Sequence, residues 1–269
     1  MQNFISPVEL KIRRAEEKIN ELSKLISEWG DAKPIKARLE MREGRLGTRL
    51  VIENISNIEY LEKFGLITGE CIHNLRTALD NLVYALARIV LDPPAKRNSI
   101  QFPICETHEE FSKQAKKYLQ QLPLDAVILI EKLQPFQRLK PDVEGNPNTD
   151  PLVLLRDLSN NDKHRIPIFP TIIPSESINL SSRVEFFSEE DASSNVPPDI
   201  TVYLGPLAIG TVVIEHKTNK PVHSAAGEFN FEASVVLQLK YGFEGLEKTL
   251  RHLHWYTNLV TDQFRYFFR

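Results

Sequence analysis

Glu70-Cys71-Ile72-His73-Asn74-Leu75-Arg76-Thr77-Ala78-Leu79-Asp80-Asn81-Leu82-Val83-Tyr84 is the stretch that decides how the chain reads. At about 100° per residue, Cys71, Leu75, Ala78, Leu79, Leu82, Leu86 and Ile89 share one arc of roughly 100°. That spacing predicts a long helix with one buried face. It runs from the capping box Ser56-Asn57-Ile58-Glu59 to about Leu91, where Pro93-Pro94 stops it. Gly65 and Gly69 within it mark a kink or a break. His73, Arg76 and Asp80 fall within about 60° of one another, roughly opposite the centre of the buried face.

Toward the N-terminus, Ser6-Pro7-Val8-Glu9 opens a helix with a capping box and a proline at its first position. Val8, Ile12, Ala15, Ile19, Leu22, Ile26 and Trp29 follow as one apolar stripe. Ala37 to Glu43 and Thr48 to Ile55 alternate polar and apolar around Gly44 and Gly47, which predicts a β-hairpin. Downstream, Thr107-His108-Glu109-Glu110 caps a helix to about Leu122, and Leu124 to Leu133 forms a short one. Lys140 to Asn148 reads as a surface loop, and Asp150-Pro151 caps a helix to about His164. From Ile166 the texture turns to strands, at Val184–Phe187, Ile200–Leu204, Thr211–Glu215 and Phe229–Lys240. Leu246, Leu250, Leu253, Tyr256, Val260, Phe264 and Phe267 then line a C-terminal helix.

The expected fold is α+β: a helical bundle with an N-terminal β-hairpin and a C-terminal acidic β-layer closed by a long C-terminal helix. The chain reads as a single domain over 1–269. A sub-boundary near residue 166 separates a mainly helical part, 1–165, from a β-rich part with the last helix, 166–269. Between Pro170 and Val235, Arg183, Lys217 and Lys220 stand against nine acidic residues. The local charge is −6, leaving +3 elsewhere in a chain whose total is −3. An RNA contact therefore belongs on the helical part.

Composition sets the outer bounds. At 269 residues, 42% hydrophobic and 26% charged, with 11 glycines, the chain is neither disordered nor fibrous. No run approaches the ~18 apolar residues of a membrane span, so no membrane partner is expected. The opening residues lack an apolar leader core, so a cytoplasmic location is the expectation. Cys71 and Cys105 are the only cysteines, too few for a disulfide framework or a thiolate metal site. Seven scattered histidines without ligand spacing add no metal site, and no cofactor is expected.

Two polar clusters carry the candidate chemistry. The first is His73, Arg76 and Asp80. Its plain reading is a solvated helix face with an Arg76–Asp80 pair, worth about 0.3 kcal/mol. The second is Asn160, Asn161, Asp162, Lys163, His164 and Arg165. Helix termination explains Lys163 and Arg165. It explains the asparagines and His164 less well, since such residues compete with the helix backbone. The two clusters are expected to form one site.

Four strings in order resemble an uncharacterised bacterial protein family: His73-Asn-Leu-Arg-Thr-Ala-Leu-Asp-Asn-Leu82, Phe102-Pro-Ile104, Leu133-Gln-Pro-Phe136, and Leu155-Arg-Asp-Leu-Ser-Asn-Asn-Asp-Lys-His-Arg165. The resemblance covers roughly residues 35 to 170 and implies no settled activity. A weaker resemblance is to the HEPN superfamily, many of whose members are metal-independent ribonucleases. Their arginine is followed by a histidine on the same helix; here Asn81 stands where that histidine belongs.

Two functions follow. In the leading reading the polar cluster is a structural or binding node, and the protein acts by binding a ligand or a protein partner, with a homodimer compatible with it. In the alternative, RNA is cleaved without metal. His73 or His164 serves as base, Arg76 stabilises charge on the phosphate, and Asp80 orients one of them.

Overall fold

The computed structural model describes residues 4–139, 145–163, 168–175, 179–195, 199–230 and 232–269. The fold is α+β. Among the described residues it contains seven α-helices and nine strands, all strand pairs antiparallel. The chain forms two compact units that interleave in sequence: Met1–Ser23, Gly65–Ile168 and Glu247–Arg269 make the first, Lys24–Phe64 and Phe169–Leu246 the second.

The first unit is helical. It holds the start of α1 (Ser6–Asp31), most of α2 (Glu59–Val90), α3 (His108–Tyr118), α4 (Leu124–Lys132), α5 (Pro151–Lys163) and α7 (Leu246–Asp262) apart from its first residue. Helix α2 is its axis. The predicted face from Cys71 to Leu86 is buried, but so are Ile72, Val83, Ala85 and Ala87 on other sides, while Ile89 is exposed. A helix apolar nearly all round belongs inside a bundle rather than on its surface. Each fully buried leucine of this axis contributes up to ~1.5–3 kcal/mol. Lys11 on α1 donates to Asn74 Oδ1 at 3.1 Å, and Lys18 pairs with Glu70 at 2.9 Å. Helix α7 is tied to α1 by Arg265–Glu9 at 2.7 Å and by Arg251 to Ser23 Oγ at 3.0 Å.

Three capping expectations turn out differently. Ser6 already lies within α1, and Glu9 is committed to Arg265 rather than to a box. The Ser56 hydroxyl donates to Pro34 O, while Asn57 takes φ 55 and α2 begins at Glu59. Thr107 does cap α3, accepting from Glu110 N at 3.2 Å, but Glu110 reaches back to Glu106 N instead of Thr107 N. Helix α3 stops at Tyr118, four residues before the expected end.

The second unit holds the sheets. The predicted hairpin is β1 (Ile35–Met41) and β2 (Gly47–Ile55), with Met41 opposite Thr48 and Ile35 opposite Ile55. It does not stand apart from the later strands. β2 continues into β6 (Val212–Lys217) and β5 (Asp199–Val202), giving one four-stranded sheet ordered β1-β2-β6-β5. Gly47 sits at φ 115, and a Cβ there would lie 1.9 Å from His216 O, so only glycine permits β6 to approach.

The predicted strand Phe229–Lys240 is two strands, β7 (Val222–Asn230) and β8 (Ala233–Leu239). They join different sheets: β7 pairs β4 (Asn179–Phe186), while β8 lies between β3 (Thr171–Pro174) and β9 (Gly242–Gly245). A short helix, α6 (Glu189–Ser193), follows β4 and was not signalled by any apolar period. No described helix is long and apolar enough to cross a membrane.

Candidate functional site

Asp150 sets the register of α5. Its Oδ1 accepts from Leu152 N at 2.9 Å, while Oδ2 accepts from Arg138 Nε at 3.0 Å. Arg138 also donates to Tyr256 OH at 3.1 Å, anchoring this cap to α7. Burial pushes the Asp150 carboxyl up from its usual range, against the pull of Leu152 N–H and Arg138. Proline at the first helical position loses no hydrogen bond. So fixed, α5 presents Arg156, Ser159 and Asn160 on one side, at spacings i, i+3 and i+4.

Opposite runs an extended segment, Gln101 to Cys105, outside any helix or ladder. Its backbone groups must then be satisfied by side chains. Asp80 Oδ1 accepts from Phe102 N at 2.9 Å, and Arg76 Nη2 donates to Phe102 O at 2.6 Å. The same Arg76 nitrogen pairs with Asp80 at 2.8 Å. Farther along, Gln134, only 1% exposed, accepts from Cys105 N at 3.0 Å and donates to Pro103 O and Ile130 O at 3.1 Å each. Arg156 Nη1 reaches Ile104 O at 3.5 Å. The Phe102-Pro-Ile104 string is thus a strap, clamped from α2, from the turn after α4 and from α5.

Strap, α2, α3 and α5 enclose a cleft of about 340 Å³. Arg76 forms part of its wall, with Gln101, Phe102 and Ile104 from the strap. Helix α3 contributes Lys113, Gln114, Lys117 and Tyr118, and α5 its Arg156, Ser159 and Asn160. Arg76 is only 6% exposed, and burial pushes its guanidinium pKa down while Asp80 opposes that shift. An arginine stays protonated under such a shift.

Three of the four cations are met from outside the wall. Asp80 faces Arg76, Glu106 and Asp157 face Arg156, and Glu109 faces Lys113. Lys117 has no carboxylate partner among the described residues and stands over the Tyr118 ring at 4.8 Å. None of those carboxylates lines the cleft. Its surface therefore offers hydrogen-bond donors without a large positive excess.

The predicted site residues separate as follows. Arg76 and Asn160 line the cleft, and Asp80 holds Arg76 and the strap behind it. His73 does not share their environment: it is exposed, 3.5 Å from Thr77 Oγ1, and is not part of the lining. The stripe divides because α2 is buried almost all round, leaving a narrow window that takes His73 but not Arg76. Asn161 is exposed, and Asp162 lies against Gly69 of α2. Lys163 ends α5, its side chain outside the described residues, as are His164 and Arg165 entirely.

Sequence reasoning missed Arg156, Gln134 and the α3 residues. The i, i+4 spacing of Lys113 and Lys117 was available, yet it is indistinguishable from an ordinary solvated face. Cys71 and Cys105 are free and buried. Among the described residues, no group of three or more His, Cys, Asp or Glu is placed to hold a metal ion. Compared with family models, curated proteins and solved structures, the chain matches none.

Proposed function

We propose that the protein is a binding protein whose Arg76 cleft takes a small polar ligand. One observation carries this: a deeply buried guanidinium whose Nη2 is spent on Asp80 and Phe102 O, but whose Nε and Nη1 donate to no described group. Neither of those donors is a buried atom cut off from water, so both reach solvent, and they belong to a residue of the cleft wall. The volume sits at the small end of the ~300–1,000 Å³ range of ligand clefts, which suits a small molecule rather than a polymer. Tyr118 offers aromatic surface, and Gln101, Gln114 and Asn160 offer amides that fix orientation.

The test is a fragment screen by amide chemical shifts. Hits should perturb Arg156, Ser159 and Asn160 together, and should vanish in Asn160→Trp, which fills the mouth from an exposed position. Hits unaffected by that variant would place binding elsewhere.

A second reading, RNA cleavage without metal, draws support from Arg76 standing with Lys113 and Lys117 around one cleft. Against it, Asn81 offers no basic nitrogen and His73 lies outside the lining. Cleavage of a single-stranded RNA in the presence of a chelator, abolished by Arg76→Lys, would favour this reading over simple binding.

A further inference from the structure

Building on the ligand-binding reading of the cleft, we infer that its anchor point takes one singly charged oxyanion, held between the Arg76 guanidinium and the Ser159 hydroxyl. Two buried polar groups point to this independently. Arg76 keeps its Nε and Nη1 donors uncommitted, as described above. Ser159 is 4% exposed, lines the same cleft, and its hydroxyl makes no hydrogen bond with a described group. Neither side chain has a buried polar atom cut off from both water and partners. The unfilled donors therefore reach solvent, and both residues line the cleft. A guanidinium and a hydroxyl lining one cleft are complementary to an acceptor-only group, and a charge-assisted bond there is about twice as strong as a neutral one.

The charge state follows from the surroundings. Three of the four cations of the lining, Arg76, Arg156 and Lys113, are already opposed by Asp80, Glu106, Asp157 and Glu109. Lys117 alone is without a carboxylate partner among the described residues. A dianionic phosphate or a polyphosphate would bring more charge into this half-enclosed site than the one ammonium without a carboxylate offsets, and uncompensated buried charge is costly. A carboxylate or a phosphodiester brings only one. The remaining amides and the Tyr118 ring then serve an uncharged, partly aromatic body.

Four probes separate the possibilities on the full chain: benzoate, methyl phenyl phosphate, benzamide and pyrophosphate, at matched ionic strength. The readouts are the Arg76 Nε–H and the backbone amides of Ser159 and Asn160. Binding of benzoate or methyl phenyl phosphate, weakened about tenfold in Ser159→Ala, supports the inference. Whichever of the two binds more tightly identifies the source of the oxyanion. Ser159→Ala is used because Arg76 also clamps the strap, so its loss affects folding.

Benzamide binding as tightly as benzoate would overturn the oxyanion anchor and leave the ligand-binding reading intact. Pyrophosphate binding more tightly than either monoanion would overturn the single charge. If no probe moves the cleft resonances and the neutral fragment screen is also silent, both the anchor and the binding reading fall.

Discussion

The Asp162 carboxylate of α5 rests against Gly69 of α2, where an added Cβ would stand 3.0 Å from Asp162 Oδ1. Gly69 is buried inside a continuous helix, so its role is close approach rather than a bend. Alanine there restores about 1 kcal/mol of helix propensity, and only the tip of an exposed side chain has to turn aside. We expect Gly69→Ala to leave stability within about 1 kcal/mol of wild type. Gly69→Leu, which overfills the gap, should cost roughly 1–3 kcal/mol. Equal losses in urea melts would show that the α5 backbone, not the Asp162 tip, sets the spacing.

The strap gives a second expectation. Asp80→Ala removes the partner of a buried guanidinium and of Phe102 N, and should cost about 2–3 kcal/mol. Gln134→Ala leaves Cys105 N and Pro103 O unpaired and should cost a similar amount. Both grip one five-residue segment, so the double variant should lose less than the sum, with a coupling above ~0.5 kcal/mol. Strict additivity in urea melts would mean that Phe102 and Cys105 are held independently.

Much of this frame was legible because a 3.6-residue period survives tertiary packing. The stripes of α1 and α7 from Val8 to Trp29 and from Leu246 to Phe264 are buried largely as read. Strands were less legible. Phe229–Lys240 has one apolar texture, and nothing local shows that β7 and β8 join different sheets. The second hairpin strand pairs β6 far along the chain, which no local pattern encodes. For the site, Arg76, Asp80 and Asn160 were visible as polar residues in unfavourable places. Gln134 was not, because its partners are backbone groups of a segment with no period of its own.

Helical phase on α2 is testable by contrast. Leu79 and Leu82 are fully buried, whereas Asn81 is half-buried. Leu79→Ala and Leu82→Ala should each cost roughly 2–5 kcal/mol. Asn81→Ala should cost under ~1 kcal/mol, since alanine is also the better helix former. Similar small losses for all three would place this helix in the wrong rotation.

The two thiols make the fold sensitive to alkali. Burial pushes both Cys71 and Cys105 up to about 12, from an ordinary 9.0. Between those values the native chain keeps its thiol protons while the unfolded chain releases them. The native state then binds more protons, so stability must fall as pH rises from about 9 toward 12, by at most ~1.4 kcal/mol per pH unit for each thiol. Tyrosines and lysines titrate in the same window, so the comparison is between wild type and the Cys71→Ala, Cys105→Ala double variant. The variant should be less stable at pH 7 but lose less on going to pH 10.5 in urea melts. At pH 8 a thiol reagent should find no reactive cysteine in the native wild type and two per chain in denaturant, because the thiolate is the nucleophile. Rapid native labelling of either cysteine would contradict the burial that the alkaline slope depends on, and parallel slopes for the two proteins would contradict the raised thiol pKa itself.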